Sequence, residues 1–188
     1  MPIAASKSAT EHELIELGRD ATAALDALLA DAVRKVGERV VVEGHLVARL
    51  LDREQRATHG LAWLATYVEA VRQLAAYTER MVGNDTFGEL EEHLVRIGLG
   101  ECIAQIVGGI PMSQGEVVRP SDMGLTDAQI IAHINPMVES LVVGGNTAER
   151  RARLIELMRA SHGATVGIAG LDETLESIRE ENAQIRRH

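Results

Sequence analysis

Residues 46–82 read LVARLLDREQRATHGLAWLATYVEAVRQLAAYTERMV, the longest unbroken periodic stretch of the chain. As one helix it spans about 55 Å at 1.5 Å per residue. Ala57, Leu61, Leu64, Val68, Val71, Ala75 and Thr78 form an apolar row in alternating steps of four and three, and Trp63, Tyr67, Ala70, Leu74, Tyr77 and Met81 form a second. A step of two residues turns a helix by about 200°, so the rows occupy nearly opposite sides. A helix that is apolar on two sides must be covered on two sides. The stretch therefore predicts the central member of an all-α helical bundle. Its weak point is Gly60, which costs about 1 kcal/mol against alanine inside a helix.

Working outward toward the N-terminus, Val40–Val42 is a β-branched run closed by Glu43-Gly44, an expected extended connector or turn. Before it, Leu14, Leu17, Ala21, Ala24, Leu28 and Val36 supply one apolar row ending at Gly37. Thr10 and Glu13 have capping-box spacing, so this first helix is expected to begin at Thr10, with residues 1–9 disordered ahead of it.

Toward the C-terminus, Gly83-Asn84-Asp85 reads as a turn, and Thr86 with Glu89 as a second capping box. The helix that follows again carries two rows: Leu90, Leu94, Ile97 and Ala104 on one side, Val95, Leu99, Cys102 and Ile106 on the other. Gly100, Ala104 and Gly108 recur at four-residue intervals beside Gly98. Glycine weakens a helix, so the expected return is close approach of another backbone or of a flat ligand. After the Gly108-Gly109-Ile110-Pro111 break comes an ordered loop to Met123. Thr126 and Gln129 cap a short helix that Pro136 interrupts or ends, and Asn146 is expected to cap a helix from Thr147 to His162. Asp172 opens a charged terminal helix. The organisation expected is a bundle domain over 10–163, then a linker and terminal helix over 164–188.

Composition narrows the function classes. A net charge of −9 repels polyanions on average, and with 2% aromatic residues there is little to stack on bases, so nucleic acid is not an expected partner. No uncharged apolar run approaches a membrane span, and residues 1–10 lack the pattern of a secretory signal. With Cys102 as its single cysteine, the chain can form no internal disulfide, which suits a reducing cytoplasm.

The segments Arg53-Glu54-Gln55 through Trp63, Tyr67, Glu69, Ala70 and Arg72, and Glu101 through Gln105-Ile106-Val107-Gly108-Gly109, resemble the C-terminal four-helix domain of acyl-CoA dehydrogenases. In that family a long helix is followed by one ending in a Gln-x-x-Gly-Gly-x-Gly turn. The stretches from His59 to Ala70 and from Gly108 to Glu116 resemble more specifically the helical N-terminal extension of the methylsuccinyl-CoA dehydrogenases of the ethylmalonyl-CoA pathway. Residues 173–181 resemble the opening of the first helix of the catalytic core. The resemblance implies an FAD-dependent oxidoreductase, a homodimer acting on acyl-CoA, whose flavin domains and catalytic carboxylate lie beyond this chain. By itself the chain is then expected to be inactive and to bind no flavin. It would pack on the catalytic core or on itself, meeting acyl-CoA only in a full-length context. The alternative, from a different class, is a free-standing helical scaffold that self-associates through its small-residue row.

Among single residues, Gly108, Gly109, Ser113 and Gln114 are the candidate cofactor-binding set, since a glycine pair at a helix end exposes backbone donors and carbonyls; the plain reading is a C-cap and turn. Pro111 stands where the family's turn has a further glycine, and it lacks an N–H. Glu101 interrupts an apolar row and is the carboxylate most worth weighing as a base, against an ion pair or hydrogen bond across the bundle, with Arg72 or Arg56 as the partner. Cys102 reads as a small hydrophobe. No Glu-x-x-His pair occurs, so no di-metal site is expected, and Glu89 with His93 reads as a solvated pair. Arg150, Arg151, Arg153 and Arg159 make a charge-rich helix surface. No catalytic residue is assigned.

Overall fold

A computed structural model describes residues 2–161 and 173–185. Its elements are α1 (Pro2–Val40), β1 (Val41–Val42), β2 (His45–Leu46), α2 (Ala48–Arg53), α3 (Gln55–Gly83), α4 (Glu89–Gly108), β3 (Ile110–Ser113), β4 (Glu116–Val118), a 3-10 turn (Pro120–Met123), α5 (Asp127–His133), α6 (Pro136–Gly144), α7 (Ala148–Ala160) and α8 (Glu173–Ile185). The strands form two small antiparallel hairpins, and the rest is an all-α bundle.

The bundle is built around α3. Its first row buries Ala57, Leu64, Val68, Val71, Ala75 and Thr78. That row meets α1, where a Cβ added to Gly18 would lie 3.0 Å from the Ala75 Cβ. The second row meets α4, which runs antiparallel. The Tyr67 hydroxyl donates to Gln105, and a Cβ on Gly98 would lie 3.0 Å from Leu74 Cδ1. Met81 is fully buried, whereas Trp63, Tyr67, Leu74 and Tyr77 are half-buried. Two-sided cover, inferred from periodicity, is what the packing delivers. Gly60 faces the second hairpin, since a Cβ there would sit 2.4 Å from Val118 Cγ2. Its cost within the helix is offset by letting β4 lie against α3.

Several boundaries differ from the sequence expectation. The 46–82 stretch is two helices, broken at Glu54 (φ −101°, ψ 24°), whose carboxylate takes Arg53 at 3.0 Å and Arg39 of α1 at 3.5 Å. The helix α1 takes in residues 2–9 and passes Thr10, and Glu13 pairs with Arg96 of α4 at 3.3 Å instead of capping. It also runs through Gly37 to Val40, because Val36 and Val40 are both buried and packing carries the helix past one glycine. The cap of α4 is Gly88, whose N–H donates to Glu91 at 3.0 Å, while the Thr86 hydroxyl turns back to Met81 O at 3.2 Å. Burial of Phe87 draws the start of that helix inward by two residues. Thr147, not Asn146, caps α7. Thr126 and Gln129 form the expected box, and Asn135 caps α6 with Pro136 in the first turn.

The buried row of α4 is Val95, Leu99, Ile103 and Ile106, while Leu94 of the other row is 42% exposed. Gly100 supplies the close backbone approach that its row implied. A Cβ there would meet Leu141 O at 2.6 Å and Gly145 Cα at 3.0 Å, so the end of α6 crosses α4 backbone to backbone.

The short helix α5 is tied to α1 by His133 Nε2 and Asp31 Oδ2 at 3.0 Å. Hydrogen bonds from His133 and then from Arg34 hold the Asp31 carboxyl below its usual value of 3.8. A depressed carboxyl contributes stability that is present above the unfolded value and is lost as pH falls through the folded one. The expected result is that the melting temperature of wild type exceeds that of Asp31→Asn at neutral pH and that the gap closes on acidification below pH 3.8. Parallel curves down to the lowest accessible pH would show that the tie does not form in solution.

Candidate functional site

Of the four candidate residues, Gly108 and Gly109 end α4 at the base of the second hairpin, and Ser113 and Gln114 lie at its tip. Gly109 is the C-cap of α4, with φ +130°, and a Cβ there would strike Val117 Cγ1 at 2.4 Å. Both the backbone conformation and the close approach require glycine, so this position is explained by folding. Nothing lies within 4 Å of a Cβ on Gly108. Ser113 pairs with Glu116 across the turn at Gln114-Gly115, and Ser113 and Gln114 are exposed. Gln114 is five residue steps beyond Gly109, about 16 Å along an extended strand, so base and tip do not converge on one atom. Pro111 pairs with Val117 in the ladder, next to a register shift before Ser113.

Arg56 of α3 fixes this hairpin. Its Nη2 donates to Val117 O at 2.6 Å, and its guanidinium meets Asp122 Oδ1 and Oδ2 at 3.1 and 3.2 Å. The Arg119 N–H also donates to Asp122 Oδ2, at 2.8 Å. Burial alone would raise the Asp122 carboxyl, but the bonds from Arg56 and Arg119 outweigh it and hold that carboxyl below its usual value. One carboxylate thus locks β4, the 3-10 turn and α3 together.

Beside the hairpin, α4 carries a polar relay that the sequence did not reveal. The Tyr67 O–H donates to Gln105 Oε1 at 2.5 Å, and Gln105 Nε2 donates to Glu101 Oε1 at 2.5 Å. Asn146 Nδ2 closes the relay on Glu101 Oε2. Burial, then the neighbouring Cys102 and Glu101, push the Tyr67 phenol up, which keeps it a donor. The i,i+4 spacing of Glu101 and Gln105 was legible; the arrival of Asn146 from the α6–α7 connection was not. Glu101 is exposed and receives two amide donors, whereas Arg72 pairs with Asp26 and Glu69, and Arg56 with Asp122. The hydrogen bond expected across the bundle is made, but its donor is Asn146 and not Arg72 or Arg56. What this arrangement does chemically is hold a carboxylate between two amides and join α3, α4 and the α6–α7 connection.

The remaining suspects fall into structural roles. Glu89 takes Arg153 of α7 through both oxygens, at 2.8 and 2.9 Å, and that guanidinium is the first cause of its lowered pKa; His93 stands 3.8 Å away. Arg150 donates to Gly144 O at 2.7 Å. Burial pushes the Cys102 thiol up, as expected of a packing cysteine. Trp63 donates its indole N–H to His59 Nε2 at 3.0 Å. Among the described residues no group of three or more histidine, cysteine or acidic side chains is placed to hold a metal, and no helix is long and apolar enough to cross a membrane.

No known family model matches the chain. The (2S)-methylsuccinyl-CoA dehydrogenase of Cereibacter sphaeroides is 44% identical to it over 170 residues, 90% of this chain. This chain is similar to part of that dehydrogenase. It spans 30% of the relative's length, so most of that protein lies outside the match. A match of 170 residues within 188 contains residues 19–170 whichever end is left out, so α3, α4, the second hairpin and the Gly100–Gly145 crossing all fall inside it.

Proposed function

We propose that the chain is the helical extension domain of a methylsuccinyl-CoA dehydrogenase-like flavoprotein of the cytoplasm, and that it packs on the catalytic body while the reacting groups reside elsewhere. The observation that carries this reading is the lopsided match: 90% of the chain is accounted for by 30% of one dehydrogenase. The bundle architecture fits the resemblance drawn from Trp63, Tyr67, Gln105, Gly108 and Gly109. The family uses FAD to accept hydride from an acyl-CoA.

The hairpin taken alone does not fit a flavin dinucleotide. Val117 fills the space beside Gly109, Pro111 has no N–H to offer, and Ser113 and Gln114 stand exposed at the tip. The scaffold alternative relied on the small-residue row as an open adhesive surface, and Gly100 is already covered by Gly145 within the chain.

The purified chain incubated with FAD is expected to remain colourless after desalting and to oxidise no (2S)-methylsuccinyl-CoA. A yellow, acyl-CoA-oxidising protein would overturn the proposal.

A further inference from the structure

At the end of the bundle where α4 finishes, Val107, Ile130, Ile131, Ile134, Val142 and Val143 line an open groove of about 330 Å³ with Glu139 at its rim. Ile131 is 70% exposed and Val143 is 74% exposed, the two most exposed large hydrophobic side chains among the described residues, and both line this groove. Exposed aliphatic side chains occur singly on any surface, but the gathering of the extremes in one concavity marks an interface. Nothing inside the bundle requires them to point outward. The core side of the same helices is filled by Ile106, Val138 and Leu141, all buried.

We propose that this groove is the seat of the catalytic body, that is, of the part of the dehydrogenase lying outside the matched region. The inference rests on the function proposed above and adds the face through which it acts. The groove residues all lie within 19–170 and so within the match, and the relative carries more than twice this length of chain beyond it. A body of that size joined to a bundle covers some of its surface, and apolar burial is the main driving force for such contact. The lining specifies the contact: aliphatic side chains between α5 and α6, with one basic group opposite Glu139, the groove's single charged lining residue. A flavin or CoA phosphate is a poor occupant, since the lining offers no cation.

Thiol labelling of introduced cysteine probes tests this in two existing proteins. Ile131→Cys and Val143→Cys are made in this chain, and cysteine is placed at the aligned positions of the full-length Cereibacter sphaeroides holoenzyme; Leu46→Cys, on the first hairpin and 67% exposed here, is the companion probe in both. Rates are taken above the background of the half-buried Cys102. In the isolated chain all three probes label fast. In the holoenzyme the two groove positions are expected to slow by about tenfold or more, as for sites that react only on local opening, while the Leu46 position does not. Groove positions that label as fast in the holoenzyme as in the chain, with the Leu46 position protected, would overturn the groove and leave the packing reading standing. Fast labelling at all three would likewise overturn the groove, while the packing reading is decided by the flavin test on the chimera. Circular dichroism of each variant confirms that labelling reports a folded chain.

Discussion

Gly145→Ala is expected to destabilise the chain by about 3 kcal/mol, lowering its melting temperature by about 6–12 °C. The new Cβ would lie 2.4 Å from Leu141 O, 2.5 Å from Arg96 O and 3.0 Å from Gly100 Cα. All three are backbone atoms, so no side-chain rotation relieves the overlap, and α6 must move away from α4. The backbone at Gly145 is ordinary right-handed helix, φ −72° and ψ −54°, which alanine adopts without strain. On propensity alone the substitution would therefore stabilise, and steric overlap reverses the sign. The neighbouring Gly144→Ala, where nothing lies within 4 Å of the added Cβ, is the internal control and is expected to be neutral or slightly stabilising. Thermal melts of the two variants check the pair. Equal effects would mean that the crossing is looser than drawn.

The second large effect separates the two rows of α4. Leu99 is fully buried, whereas Leu94 is 42% exposed on the outer side of the same helix. Leu99→Ala is expected to cost about 2–5 kcal/mol, the sum of lost burial and the cavity left behind. Leu94→Ala is expected to cost about 0.5 kcal/mol or less, as for a surface substitution. Chemical denaturation with a common slope reads both. A Leu94 variant as damaged as the Leu99 variant would mean that another part of the chain covers the outer row.

Periodicity made the bundle legible because burial leaves a repeating trace: the rows of α3 at steps of four and three, and Val95, Leu99 and Ile106 of α4, point inward as their spacing requires. Gly100 was legible as a close approach for the same reason, since a glycine in a helix needs a compensating contact. Ends were read less well. Thr86 and Glu89 have the spacing of a capping box, yet the buried Phe87 decides where α4 starts, and burial of a single residue has no period. The break falls at Glu54, which pairs with Arg39 fifteen residues earlier on another helix, a contact that no local rule exposes. The candidate site fared in the same way. Gly109 was identified from a motif that marks the helix end, and its positive φ explains the glycine without a ligand. The relay through Tyr67, Gln105, Glu101 and Asn146 joins three distant parts of the chain, a relation that spacing along the sequence cannot display.

Replacing the matched segment of the Cereibacter sphaeroides dehydrogenase with residues 1–188 of this chain is the most direct test of whether the bundle is an interchangeable domain of such an enzyme. The chimera is expected to purify yellow, retain flavin through gel filtration and oxidise (2S)-methylsuccinyl-CoA. A chimera that melts as a folded protein yet has shed its flavin and its activity would contradict the account.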